Sequence, residues 1–212
     1  MTSVFSPENN GRPSGTYDLE IRTPRGEITG LLHRVKQARS GMIMAGDAEG
    51  GIAGPAGVYG PLGDRLQQAG IASMRLEYRH PNELDECVFD VLAAIEALRQ
   101  TGAERVALLG WSFGGLVVIT AGALSRFVVG VAAVASRGGT EAVADLSLKS
   151  LLLLHGTADE ISPDGCSREL YERAREPKEL VLYPDDDHNL TRHAEAVLEK
   201  LCEWSCRVLL TV

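Results

Sequence analysis

The sequence predicts a doubly wound α/β sandwich: a mostly parallel sheet covered by helices on both faces and entered through an N-terminal antiparallel hairpin. Three observations predict it. From Pro61 onward, short apolar runs alternate with amphipathic segments in a strand–helix–strand rhythm. Runs such as Leu151 to Leu154 have no polar face, which suits strands buried on both sides. Ahead of that rhythm, Tyr17 to Thr23 and Glu27 to Arg34 alternate apolar and polar side chains around Pro24-Arg25-Gly26, as the arms of a hairpin do.

Met42 to Ala45 reads as a short buried strand. The segment Gly46 to Gly60 follows, and its six glycines and one proline argue against regular structure. A loop of this kind at a strand end is a place for function. The periodicity then predicts a helix over Leu62 to Ala69, a strand over Ala72 to Glu77, a strongly amphipathic helix over Leu84 to Gln100 and a buried strand over Val106 to Leu109. A helix from Gly115 to Leu124 and strands over Val128 to Ala135 and Ser150 to His155 come next. A helix over Ser167 to Arg175, a strand over Leu180 to Tyr183 and a last helix over Arg192 to Leu209 complete the pattern.

A chain of 212 residues can build one substantial core and is short for two average domains, so residues 17–212 read as one domain. Met1 to Thr16, rich in Ser, Pro, Asn and Gly, reads as a flexible segment with neither the basic start nor the apolar run of a signal peptide. The longest apolar stretches, Leu116 to Ile119 and Val128 to Ala135, fall far short of the roughly 20 residues that span a bilayer, so no membrane association is expected. Against 29 acidic residues stand 21 basic ones, without a Lys/Arg stripe, which argues against nucleic acid as a partner.

The four cysteines form no C-x-x-C pair and lack a histidine at ligand spacing, so no metal site is expected. Cys202 and Cys206 share a helix face, which suits packing better than a disulfide. Reduced thiols in a cytoplasmic protein are the simplest account. The sequence allows a homodimer and does not decide oligomeric state.

Chemistry concentrates at three places. Gly110-Trp111-Ser112-Phe113-Gly114 matches G-x-S-x-G, in which a sharp strand-to-helix turn needs small residues around the serine and lifts its hydroxyl into the open. The motif sits between a predicted strand and a predicted helix, as that mechanism requires. The competing reading is a plain glycine-rich βα turn, common in doubly wound folds.

A serine hydroxyl needs a base. His33 lies in the hairpin, His80 precedes Pro81, His155 ends a buried strand and His193 begins the last helix. His188 alone lies in a loop after the last strand, at the carboxyl edge where open α/β sheets place their sites. In isolation it would read as a solvated residue beside Asp185, Asp186 and Asp187. Asp159, just beyond the strand Ser150 to Leu154, is the acid that orients the base, with Glu160 and Asp164 as neighbouring substitutes.

Two donors must face the developing oxyanion. The Phe113 N–H is the first, and the loop Gly46-Asp47-Ala48 supplies the second from Asp47, with Ala48 as the alternative. Arg79 and Arg137 follow strands whose ends overlook the same edge, so one or both can bind a substrate carboxylate, although surface arginines are usually just solvated.

Together, Gly110-Trp111-Ser112-Phe113-Gly114-Gly115, Leu153-Leu154-His155-Gly156-Thr157-Ala158-Asp159 with Pro163 following, and Asp187-His188 resemble the α/β-hydrolase superfamily, and within it the small lidless members grouped with dienelactone hydrolase. The resemblance covers about Tyr17 to Leu209. It implies hydrolysis of a small carboxylic ester through an acyl-enzyme, without metal or cofactor, by Ser112, Asp159 and His188.

Dienelactone hydrolases carry a cysteine where Ser112 stands, which argues against lactone specificity. The usual histidine-glycine start of the oxyanion loop reads Ala45-Gly46 here. Peptide or thioester hydrolysis would use the same machinery, and a non-catalytic binding module would keep the fold alone. The span Ser136 to Lys149 has room for at most a short helix, so an open site without a lid is expected.

Overall fold

Six parallel strands carry the fold, and three antiparallel ones extend it at the N-terminal edge. A computed structural model describes residues 15–138 and 141–211, together with the backbone of Thr2–Phe5. In chain order the strands are β1 (Thr2–Phe5), β2 (Thr16–Thr23), β3 (Gly26–His33), β4 (Ser40–Ala45), β5 (Ala72–Glu77), β6 (Arg105–Trp111), β7 (Val128–Val134), β8 (Ser150–Gly156) and β9 (Lys178–Tyr183). The helices are α1 (Tyr59–Gln68), α2 (Leu84–Gln100), α3 (Phe113–Leu124), α4 (Gly165–Arg173) and α5 (Ala194–Leu210). The sheet order is β1-β2-β3-β5-β4-β6-β7-β8-β9, with β4 to β9 parallel. The predicted hairpin is β2 and β3, and β3 joins β5 antiparallel.

Because successive side chains leave a strand on opposite faces, each apolar strand feeds two cores. Ile43, Val106, Leu108, Leu151 and Leu153 face the layer under α2, α3 and α4. Their neighbours Met42, Met44, Ala107, Leu109, Leu152 and Leu154 face the layer under α1 and α5. The fully apolar strands are therefore buried on both sides, as expected. Among the described residues, no helix is long and apolar enough to cross a membrane.

Several boundaries moved, each for a local reason. Within Gly46 to Gly60, expected to be irregular, Pro55–Gly57 makes a 3-10 turn and α1 starts at Tyr59. Pro55 enters that turn and Pro61 sits in the first turn of α1, two places where a missing N–H costs nothing. Gly54 and Gly57 take positive φ of 71° and 76° around them. At the C-terminus, α5 starts at Ala194 rather than Arg192, because a buried carboxylate captures the amides of residues 192 and 193 first. In the N-terminal segment, Thr2–Phe5 pairs antiparallel with β2 and Thr16 already belongs to β2. Residues 1 and 6–14 lie outside the described residues.

Trp204 of α5 is fully buried in the second core, and its Nε1–H donates to Ser150 Oγ at 3.0 Å. Gly130 makes the room, since a Cβ there would stand 2.9 Å from the indole. Trp204→Ala is expected to cost about 3–5 kcal/mol of stability, read from urea midpoints, with the far-ultraviolet spectrum of the folded state preserved.

Candidate active site

The strand order reverses at β4: β5 lies on one side of it and β6 on the other. A crevice opens at the carboxyl ends of strands at such a reversal. Ser112 stands there, directly after β6, with φ 55° and ψ −117°, a conformation that non-glycine residues rarely adopt. The motif glycines are there because backbone fills the space where side chains would be. A Cβ on Gly110 would lie 2.1 Å from the Gly114 carbonyl oxygen, and one on Gly114 would lie 2.1 Å from that of Gly46. The second contact presses the loop after β4 against the start of α3, with Gly46, the residue before Asp47, packed on Gly114, the residue after Phe113.

Phe113 is the first residue of α3, so its N–H has no partner within the helix. The Asp47 loop is held in place from behind. The Tyr59 hydroxyl donates to the Ala45 carbonyl at 2.9 Å. Burial, reinforced by the charge of Asp47, pushes that phenol far above its ordinary range, which keeps it a donor. The Asp47 carboxylate accepts from the Glu49 N–H, and its carbonyl accepts from the Gly50 N–H, closing a tight turn.

Asp159 and His188 meet. His188 Nδ1 lies 2.7 Å from Asp159 Oδ2, so Nδ1 carries the proton and Nε2 presents its lone pair. Both residues are buried, and Asp159 Oδ1 accepts the N–H groups of Ile161 and Ser162 at 2.8 Å each. Trp111, the residue before Ser112, donates from Nε1 to the His188 carbonyl at 3.1 Å, and the two rings pack 5.6 Å apart. That contact brings His188 to the serine turn. The Ser112 side chain makes no hydrogen bond among the described residues.

The loop bearing His188 is fastened by Asp186, which is fully buried. Its carboxylate accepts the N–H groups of Asp187, Arg192 and His193 and the Nδ1 of His193, at 2.8 to 3.1 Å. Gly156 lets the loop in: a Cβ there would lie 2.4 Å from the Asp186 carbonyl oxygen. Ala158 N–H donates to that same carbonyl, lacing the Asp159 loop to the His188 loop. Beside His188 a cleft of about 390 Å³ opens, with Ala158, Ile161, Asn189 and Arg192 among its walls, and Ile161 exposed at its rim.

The two arginines part ways. Arg137 is exposed just beyond β7 and makes no hydrogen bond or ion pair among the described residues. A Cβ on Gly115 would meet Ser136 Oγ at 2.7 Å, so this strand end lies beside the serine turn. Arg79 corrects the expectation. Its side chain is 5% exposed and donates to Asp90 at 2.6 Å, to Glu86 at 2.6 Å and to the Arg25 carbonyl at 2.7 Å. Asp90 is fully buried and demands a cation, so Arg79 ties the hairpin turn to α2 and is not free for a substrate. Glu86 and Asp90, four apart on one helix face, were the signal for this in the sequence.

Arg79→Ala is expected to lose about 3–5 kcal/mol in denaturant titrations; a folded variant of undiminished stability would return Arg79 to the candidate substrate contacts. Asp186 generates a second expectation. Burial alone would raise its carboxyl, but the amides of Arg192, Asp187 and His193 and the His193 ring hold it below its ordinary value. A depressed folded value gives stability that is present above the unfolded value of about 3.9 and lost as pH falls through the folded one. Asp186→Asn is therefore expected to destabilise by about 1–3 kcal/mol at neutral pH, with the gap to wild type closing below about pH 4. A gap of constant size down to that pH would contradict it.

No family model matches the chain. A 72-residue stretch is 38% identical to the uncharacterized protein YfhR of Escherichia coli K12, covering 32% of this chain and 25% of that protein. A 46-residue stretch is 48% identical to its namesake in Salmonella typhimurium, covering 22% and 16%. The alignments thus span a quarter or less of these relatives. Among solved structures, dienelactone hydrolase from Anabaena variabilis superposes with a TM-score of 0.79 at 20% identity, over 92% of this chain and 98% of that one. Est1E from Butyrivibrio proteoclasticus gives 0.77 at 16% identity, over 90% and 98%. XC6422 from Xanthomonas campestris, described as a serine hydrolase without a lid, gives 0.75 at 20% identity, over 94% and 98%. On these superpositions the chain has the α/β-hydrolase fold, in its form without a lid.

Proposed function

We propose that this protein is a serine hydrolase that cleaves small carboxylic esters through an acyl-enzyme. The observation that carries the reading is the 2.7 Å Asp159–His188 pair, tied by Trp111 to a serine on a left-handed strand-to-helix turn. In this reading His188 Nε2 takes the Ser112 proton as Oγ attacks the ester carbonyl, and the Phe113 and Asp47 N–H groups receive the oxyanion. The imidazolium then hands its proton to the departing alcohol. Water, deprotonated by the same nitrogen, attacks the acyl-enzyme and releases the acid. Asp159 fixes the tautomer and offsets the positive charge on the ring.

The sequence of steps needs no metal or cofactor. Arg137 would receive a carboxylate on the substrate. The open crevice suits small acyl groups, and one neighbouring structure is of Est1E with ferulic acid bound. All four cysteines are free thiols, which supports a reducing, cytoplasmic setting.

Short-chain p-nitrophenyl esters should be turned over by wild type, and Ser112→Ala should lower kcat by about 10⁴–10⁶-fold while abolishing labelling by a fluorophosphonate. A panel of ester, thioester and aminoacyl substrates ranks the acyl chemistries. Folded wild type that neither turns over nor labels would make the chain a hydrolase-like binding module.

A further inference from the structure

The catalytic steps above leave one fully buried titratable ring at the site unused. His155, at the end of β8, places Nε2 3.1 Å from Asp159 Oδ2, the oxygen that also receives His188 Nδ1. Two imidazoles share one carboxylate oxygen, while Oδ1 takes two backbone amides. His155 Nε2 is also 2.7 Å from the Ser162 carbonyl oxygen, and His155 Nδ1 is 2.7 Å from Ser167 Oγ.

These contacts select a tautomer. A carbonyl and a carboxylate can only accept, so Nε2 is the nitrogen that bears hydrogen. With the proton on Nδ1 instead, the Nε2 lone pair would face two oxygens. Ser167 then donates its hydroxyl proton to Nδ1 and locks the ring in that form. It can do so because it is buried in the first turns of α4, directly over the end of β8.

We propose that His155 is a positioning residue for the active site: its Nε2–H, oriented by Ser167 and Ser162, holds Asp159 Oδ2 where His188 must find it. The proposal rests on the reading of Asp159 and His188 as acid and base. An imidazole suits the task because this tautomer donates without adding positive charge. A lysine or arginine there would compete with the His188 imidazolium for the same carboxylate, weakening its support when charge develops.

The test compares His155→Leu, His155→Gln and Ser167→Ala with wild type, by ester kinetics and by the far-downfield proton resonance of His188 Nδ1–H. His155→Leu should lower kcat by about 10–100-fold, the scale on which a hydrogen-bond partner one step behind a functional side chain acts. KM should stay within about twofold, since no substrate contact is lost. The resonance should shift or broaden. Glutamine, which restores an N–H donor at similar reach, should recover most of the rate, and Ser167→Ala should show a smaller loss with the same resonance change.

Folded His155→Leu and Ser167→Ala with wild-type kcat and an unmoved resonance would reduce His155 to core filling, as would a glutamine variant as slow as leucine. Should leucine fail to fold, the glutamine and alanine variants decide. If wild type turns over no ester and labels with no phosphonate, the hydrolase reading falls. The resonance, which needs no turnover, still decides whether His155 orders the Asp159–His188 pair.

Discussion

Backbone meeting backbone, where Gly114 lies against the Gly46 carbonyl, is the constraint on which the rest of the site depends. Parallel strands β4 and β6 are neighbours, and their exits diverge into a loop and a helix. The exits can share one crevice only if one of the two chains has no side chain at the contact. Gly110, packed against the Gly114 carbonyl in the same way, leaves room for the sharp turn in which Ser112 takes positive φ. The loop after β4 and the start of α3 therefore pack together through backbone alone. Conformational strain at the serine is carried by the packed strand and helix on either side of it.

Carboxylates organise the other half. Asp159 and Asp186 each gather several donors in a buried setting, one orienting His188 and the other folding the loop that carries it. Loops at a sheet edge have little apolar surface to fix them, so charged hydrogen bonds supply their order. Gly156 plays for these two loops the part that Gly114 plays for the turn, letting one backbone approach another closely.

Much of this was legible in the sequence because it depends on local pattern. The extents of β5 and α2 follow from their apolar periodicity alone, and Ser112, Asp159 and His188 sit where strand ends predict. What escaped depends on partners far apart in the chain. Arg79 follows a strand end, but position at an edge does not say which way a side chain turns, and buried Asp90 decides it. His155 read as a strand terminus because its partner Ser167 lies in another element. Asp186 stood in a run of three aspartates, and nothing in that run distinguishes the buried one from its exposed neighbours. The run Gly46 to Gly60 looked shapeless because glycine count conceals Pro55, which starts a turn, and the helix that begins at Tyr59 just ahead of Pro61.

The chain has only two tryptophans, and the fold gives them separate duties. Trp204 is sealed in the layer beneath α5, while Trp111 is bonded through its indole N–H to the backbone of His188. The protein thus carries two intrinsic optical reporters, one tied to the integrity of its interior and the other to the seating of His188, so that disturbance of the site and loss of the fold have distinct fluorescent origins within one unlabelled molecule.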